Sequence, residues 1–168
     1  ASITLTSTNG NVCLGEDTAT ISYSETTGEP DKYNLDFDIT AEDQGFSDVT
    51  AASLNPSPII IEVPIGAEPN IYNAILIVYN ADSSKTSKEY DITITVNSLP
   101  NITNSDSSDI TCKGNNDGTI TLTASGGSGS GYQYSKDGGV NWQDTNTFSG
   151  LSPGDYILQV KDSQGCSS

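Results

Sequence analysis

Two stretches of this chain repeat each other at a fixed distance. Ile3-Thr4, Cys13-x-Gly15 and Thr20-Ile21 return as Ile102-Thr103, Cys112-x-Gly114 and Thr119-Ile120, at a constant offset of 99 residues. A sustained offset of this kind means tandem related units, each a structural module in its own right. A length of 168 residues is compatible with one domain or two, so the repeat decides for two. The boundary is expected near Leu99-Pro100, giving residues 1–99 and 100–168, with a joint running from Leu99 to Asn104. Arrays of small units display, span or grip more often than they catalyse.

The local pattern is period two almost everywhere, which argues strand rather than helix. In the first unit Ile3 and Leu5 alternate with Thr4 and Thr6. Ala19, Ile21 and Tyr23 share a face, as do Tyr33, Leu35, Phe37 and Ile39. Ile59 to Val63 is a short buried run, followed by strands over Tyr72–Tyr79 and Tyr90–Val96. Turn-forming clusters separate them at Asn9-Gly10-Asn11, Thr27 to Pro30, Asn55 to Pro58 and Ala81 to Ser84. One helical turn is expected at Thr40 to Gln44, with Thr40 as its cap. In the second unit Ile120, Leu122 and Ala124 face inward. A Gly-rich turn over 126–131 leads to Tyr132 and Tyr134, a hairpin at Asp137-Gly138-Gly139 leads to Trp142, and Tyr156, Leu158 and Val160 share a face. About seven short strands in the first unit, and the same plan in fewer residues in the second, predict an all-β chain of two immunoglobulin-like sandwiches. Matching Val78 to Val160 leaves the second unit without a counterpart of the Tyr90–Val96 strand, so its last strand is expected to be missing and a sheet edge unpaired.

Charge narrows the function. There are 22 acidic residues against 6 basic ones, a net charge of −16. Six scattered cations cannot make the footprint that nucleic acid requires, and an anionic membrane surface would repel the chain. The absence of His removes Ser-His-Asp and Cys-His nucleophile systems. No run approaches the ~20 apolar residues of a membrane span, so no direct membrane insertion is expected. No basic-then-apolar leader precedes Ala1, so an export signal is expected outside this sequence.

Several constellations invite chemistry, and a structural reading competes with each. Ser135-x-Asp137-x-Gly139-x-x-Trp142 fits the Asp-box of sialidase propellers, which is itself a hairpin-forming device. No arginine cluster accompanies it, so catalysis is not expected. Asp36 and Asp38 fall on the polar face of a strand rather than in a buried acid–base pair. The Gly-rich turn lacks the Gly-Lys-Ser/Thr ending of a phosphate loop. Asp106, Asp109, Asn115 and Asp117 flank the start of the second unit and are candidate calcium ligands, although Asx-rich turns form without metal. Tyr132, Tyr134 and Trp142 are candidates for stacking on sugar rings, against a core role for the same aromatics. No catalytic residues and no required cofactor are expected.

The order Cys112-x-Gly114-x-x-Asp117-Gly118, Gly126-Gly127, Tyr132-x-Tyr134, Leu151-x-x-Gly154-x-Tyr156 and Asp162-x-x-Gly165-Cys166 resembles the SprB repeat family of surface adhesins in gliding bacteria. The resemblance covers about residues 110–166. The first unit looks like the immunoglobulin-like modules that accompany such repeats, but lacks the cysteine usual near Ser83-Ser84. The resemblance implies export across the outer membrane, display at the cell surface and a part in adhesion during gliding, with an external surface or polysaccharide and neighbouring repeats as partners. Cys112 and Cys166 are the expected disulfide, and Cys13 is left as a buried free thiol. Against that pairing, the two positions fall at opposite ends of a standard sandwich, whereas a disulfide needs Cα atoms within ~7 Å. The competing function is a carbohydrate-binding accessory module of a secreted enzyme.

Overall fold

Alternation folds as strand throughout the first half of the chain. The elements there are β1 (Ser2–Leu5), β2 (Asn9–Cys13), β3 (Thr18–Ile21), β4 (Tyr23–Thr27), β5 (Lys32–Phe37), α1 (Ile39–Glu42), β6 (Val49–Ser53), β7 (Ile59–Glu62), β8 (Asn70–Tyr79) and β9 (Lys88–Asn97). The second half contains β10 (Pro100–Ser108), β11 (Gly118–Gly126), β12 (Gln133–Ser135), β13 (Thr147–Leu151) and β14 (Gln159–Lys161). This is a computed structural model, and it describes residues 1–82, 87–112 and 114–168. The chain divides into units Ala1–Val96 and Asn97–Ser168, a little before the Leu99-Pro100 boundary expected from the repeat.

In the first unit a five-stranded sheet of order β2-β9-β8-β5-β6 faces the pairs β1-β4 and β3-β7. Ile3, Ile21 and Ile61 from one side and Leu35, Leu76 and Ile94 from the other belong to a single buried cluster. The period-two rule explains the longest strands: Tyr72, Ala74, Leu76 and Val78 are buried along β8, and Ile92, Ile94 and Val96 along β9. β8 pairs antiparallel with β5 on one side and β9 on the other, with Leu76 opposite both Leu35 and Tyr90. These central positions therefore lose water on the sheet face while their backbone groups enter ladders on both sides.

Three local expectations are corrected. Asn9-Gly10-Asn11 is not a turn but part of β2. A Cβ at Gly10 would lie 3.0 Å from Ile94 Cδ1 and 3.1 Å from Ala19 Cβ, so this glycine serves close packing between strands rather than chain reversal. The Thr93 N–H donates to the Thr8 carbonyl at 2.9 Å and the Thr95 hydroxyl to Asn9 Oδ1 at 3.0 Å; numbers ascend together, so β2 runs parallel to β9. The helical turn is capped by Asp38, whose Oδ1 accepts from the Ala41 N–H at 2.9 Å, not by Thr40. The Asn73 side-chain amide on Oδ2 and that cap bond hold the Asp38 carboxyl below the usual carboxylate range. Ile39, expected inward, begins this helix and is 70% exposed.

In the second unit the order β10-β11-β13 makes one sheet and β12-β14 another. Leu122, Tyr134, Phe148, Leu151 and Val160 form the buried centre, flanked by Ile120, Tyr132, Tyr156 and Leu158. The stretch expected as joint and loop is mostly strand. β10 pairs antiparallel with β11 from Pro100 opposite Gly126 to Ser108 opposite Thr119. After β14 the chain turns back, with Ser167 bridging to Lys161 and the Ser168 N–H donating to the Val160 carbonyl at 3.1 Å.

Candidate functional site

The residues singled out for chemistry fall into three places in the second unit. The first is the Asp-box hairpin. Antiparallel bonds between Tyr134 and Gln143, at 2.8 and 3.0 Å, close it. Buried Ser135 Oγ accepts from the Gly139 N–H at 2.9 Å and donates to Asp137 Oδ1 at 2.8 Å. Asp137 also accepts from the Asn141 N–H at 2.8 Å and the Asn141 side-chain amide at 2.7 Å. Gly138 and Gly139 take φ of +70° and +84°, where a side chain would be strained. The Asp137 carboxylate is thus directed at its own turn.

Those bonds, led by the Asn141 side chain, lower the Asp137 pKa to about 2. A depressed carboxylate contributes stability that is present above its unfolded pKa and lost as pH falls through the folded value. The melting-temperature gap between the native chain and Asp137→Asn should therefore be constant above pH ~5 and close progressively toward pH ~2. A gap independent of pH across that window would refute the role given to the charge.

The aromatic set does not form a platform. Tyr134 is in the core, 8% exposed, and is thereby removed as a sugar-stacking residue. Tyr132 leans on the same core and donates its hydroxyl to the Gly126 carbonyl at 2.7 Å. Trp142 is half-buried, and Lys161 Nζ lies 4.5 Å from its ring centroid. The cation covers a face that a sugar would need.

The second place is the acidic segment around 106–117. Asp106 stands on β10 opposite Thr121, not in a loop, and accepts from the Asn104 amide at 2.9 Å. Asp109 lines an open groove of about 380 Å³ with Ser107, Gly118, Leu151 and Tyr156. Asp117 accepts from the Thr111 hydroxyl at 2.6 Å and the Thr111 N–H at 3.1 Å, which hold its carboxyl below the usual range, and the Asn115 amide donates to Thr111 Oγ1 at 2.9 Å. Among the described residues no three acidic or sulfur groups are placed to share a metal ion. Asn115 and Asp117 thus serve the turn, separately from Asp106 on the strand.

The third place, whose chemistry the sequence pattern left unexplained, is the turn at Asp162. This carboxylate is 3% exposed. Its Oδ2 accepts from the Ser128 N–H at 2.7 Å, and its Oδ1 from the Gln164 and Cys166 N–H groups at 3.0 Å each. A Cβ on Gly127 would come within 2.4 Å of Oδ2 and 3.1 Å of Pro100 N. The Gly-rich turn is therefore held against β10 by a buried carboxylate that only a glycine can approach. Glycine next to the acidic turn was the signal for it.

The cysteines correct the expected pairing. Cys112 is an exposed free thiol, while Cys13 and Cys166 are disulfide-bonded. The geometry of the second unit gives the reason. The Asp162–Cys166 turn lies against Pro100, at one end of β10, and Cys112 follows Ser108 at the other. That strand spans ~26 Å at ~3.3 Å per residue, and the four residues from Ser108 to Cys112 can recover at most ~14 Å. The remainder exceeds the ~7 Å a disulfide tolerates. The position near Ser83-Ser84 lies outside the described residues. Alkylation of the denatured, unreduced chain should label one cysteine, Cys112, and Cys112→Ser should label none; label on Cys166 would overturn the assignment.

With this geometry in place, comparison places residues 104–141 in a match to the SprB repeat. The match runs from Asn104, within β10, through β11, the Gly-rich turn and β12 to Asn141, one residue short of the end of the box; the Leu151–Cys166 part of the resemblance lies beyond it. No curated protein matches the chain. Among the described residues no helix is long and apolar enough to cross a membrane.

Proposed function

We propose that this chain, premised on the SprB repeat at residues 104–141, is a non-catalytic structural and adhesive segment of a large repetitive cell-surface adhesin of the gliding-motility type. The observation that carries the reading is this repeat together with the way its polar groups are spent. Ser135 and Asp137 bind the backbone of their own turn, and Asp162 binds that of its own turn and of the Gly-rich turn, which suits a unit that holds shape under exposure rather than one that reacts. The net charge of −16 keeps neighbouring units soluble and apart.

The fold assigned with it is a pair of immunoglobulin-like sandwiches. Two features support this. The sheet order of the first unit ends in an edge strand parallel to β9. A tyrosine donates to a carbonyl four residues back in both units: Tyr72, near the start of β8, to Glu68 at 2.5 Å, and Tyr156, just before β14, to Ser152 at 2.8 Å. Such tyrosine corners recur in sandwiches of this class.

Protease treatment of intact cells tests display directly: the chain should be cut without lysis, and cells lacking it should attach and spread less. Protection until lysis would reject the proposal. A glycan screen addresses the accessory-module alternative, which requires saturable binding that Trp142→Ala abolishes. Calcium is assigned no role, so melts in calcium and in chelator at matched ionic strength should coincide; a calcium-dependent rise of several degrees would reveal a stabilising ion.

A further inference from the structure

We infer that the outer face of the five-stranded sheet in the first unit is a docking surface for a protein segment bearing a basic–apolar–basic row, with Lys or Arg on either side of Leu, Ile or Val. The inference stands apart from the adhesin reading, because it concerns what this face binds and not where the protein is displayed.

The face is apolar along its middle, where a solvated sheet face is polar. β8 is the central strand of the order β2-β9-β8-β5-β6, and Ile71, Ile75 and Ile77 occupy outward positions on it. Ile71 is 56% exposed and Ile75 38%, and Ile77 is half-buried. Asn73, between the first two, is tied to Asp38 Oδ2 at 2.8 Å. On β9 the outward residues opposite Ile71 and Asn73 are Thr95 and Thr93, the side chains that water tolerates. A single exposed isoleucine is ordinary. Three in line on one strand make a stripe of the kind that marks a contact surface.

Uncommitted negative charge borders the stripe on both sides. Asp36 on β5 and Asp91 on β9 each stand opposite Ile75, and Glu89 stands opposite Ile77; all three are exposed. An open groove of about 510 Å³ crosses this row, lined by Asp36, Asp38, Asn73, Ile75, Asp91 and Thr93. Other carboxylates of the unit are taken up by the fold. Asp38 caps α1, Asp48 accepts from the Phe37 N–H at 2.9 Å, and Asp31 accepts from the Ala81 N–H at 2.8 Å. Asp36, Glu89 and Asp91 have no such bond among the described residues. The unit's two described lysines are engaged elsewhere, Lys32 Nζ with Ser53 Oγ at 3.2 Å and Lys88 Nζ over the Tyr90 ring at 5.0 Å.

Charge and length choose the occupant. Residues 1–96 hold 15 acidic side chains against 3 lysines, and residues 97–168 hold 7 against 3, so the first unit carries most of the negative field. A second copy of this face would set like charges together, and an anionic partner is repelled in the same way. From Ile71 to Ile77 the stripe runs ~20 Å at ~3.3 Å per residue, too long for a small organic cation and suited to a polypeptide. β8 is paired on both sides, so the partner adds no ladder strand and is held through side chains. An extended segment crossing β8 turns alternate residues toward the sheet. It sets an apolar residue on Ile75 and basic residues, two positions to either side, over Asp36 and Asp91. Those basic residues are ~13 Å apart along the segment, against ~10 Å across the two strand spacings. Long Lys or Arg stems take up the difference.

The test titrates the full isotope-labelled chain with one synthetic peptide, followed by amide NMR shifts. The peptide is the capped hairpin Lys-Thr-Leu-Thr-Lys-Asn-Gly-Lys-Thr-Leu-Thr-Lys, whose Asn-Gly turn sets two basic–apolar–basic rows side by side. Shifts are expected at Asp36, Ile75, Asp91 and their neighbours on β5, β8 and β9, with a Kd below ~1 mM at low salt. Asp36→Asn combined with Asp91→Asn should weaken binding about tenfold, and Ile75→Ser about fivefold. These exposed substitutions should leave the melting temperature within about 4 °C of the native value. Replacing both peptide leucines by threonine should weaken binding to the native chain about fivefold or more, a comparison independent of any variant's folding. No shifts on this face at ~1 mM peptide, shifts centred elsewhere, or variants that bind as tightly as the native chain would each overturn the inference. Equal binding by the threonine peptide would overturn it too, since charge alone would then account for the contact. Protease treatment of cells reads display separately, so failure here leaves the adhesin reading standing.

Discussion

Asp162→Ala should lower the melting temperature of the second unit by roughly 12–24 °C. The carboxylate is 3% exposed and accepts three backbone N–H groups, those of Ser128, Gln164 and Cys166. Its removal strands those donors in a site built to exclude side chains, and breaking a buried charged network costs on the order of 3 kcal/mol. In a domain of this size each kcal/mol shifts the transition by about 4–8 °C. Asp162→Asn should fall between, because one oxygen can still serve Oδ1's two donors while the amide opposes Ser128. Trp142, the chain's one tryptophan, lies in this unit, so its fluorescence follows the transition specifically. Asp155→Ala, at an exposed position, provides the control and should move the transition by no more than about 1 °C. A shift for Asp162→Ala as small as the control's would show that the turn is held by something else.

Phe46→Ala should be the most damaging truncation tested in the first unit, at about 3–5 kcal/mol. The ring is 3% exposed and joins two others, 5.1 Å from Phe37 and 4.7 Å from Tyr72 between centroids. Tilted pairs at this distance add to the burial they accompany. Its N–H reaches the Ala41 carbonyl at 3.1 Å, so the turn after α1 carries the ring into the core. Calorimetry should show the first unit's transition lowered by at least ~12 °C, with Phe46→Leu recovering most of it. Loss of less than ~1 kcal/mol would mean the core closes over the gap.

These two residues mark what the sequence made readable and what it did not. The β8 and β9 faces were legible because burial there alternates without interruption, and the Asp-box hairpin because its glycines and carboxylate prescribe a turn by themselves. Phe46 belongs to no periodic run; its burial depends on where α1 deposits the chain. Gly10 was read as a turn residue because glycine suits both turns and close strand contacts, and only the third dimension distinguishes them. Asp162 was visible as part of a motif, but not as a buried acceptor, since one of its three donors, the Ser128 N–H, comes from a turn more than thirty residues earlier. The cysteines misled for a related reason. Two that frame a module in sequence appear paired, yet the length of β10 holds Cys112 and Cys166 apart.

With Cys13 and Cys166 reduced, the pairing of β10 has a mechanical consequence. Tension arriving from the first half of the chain enters the second unit at Asn97 and pulls on Pro100, the first residue of β10. β10 lies antiparallel along β11 from Pro100–Gly126 to Ser108–Thr119, and the Asp162–Cys166 turn that leads to Ser168 stands at the same Pro100 end, so the two points of load lie close together. A pull between them opens the β10 ladder from its Pro100 end, one bond at a time. The Asp162 latch sits where the load enters, against Pro100, and must be dislodged before the strand can peel. Resistance to pulling is set by the rate of unfolding rather than by equilibrium stability. The same clamp that governs melting should therefore set how long this unit withstands a steady drag.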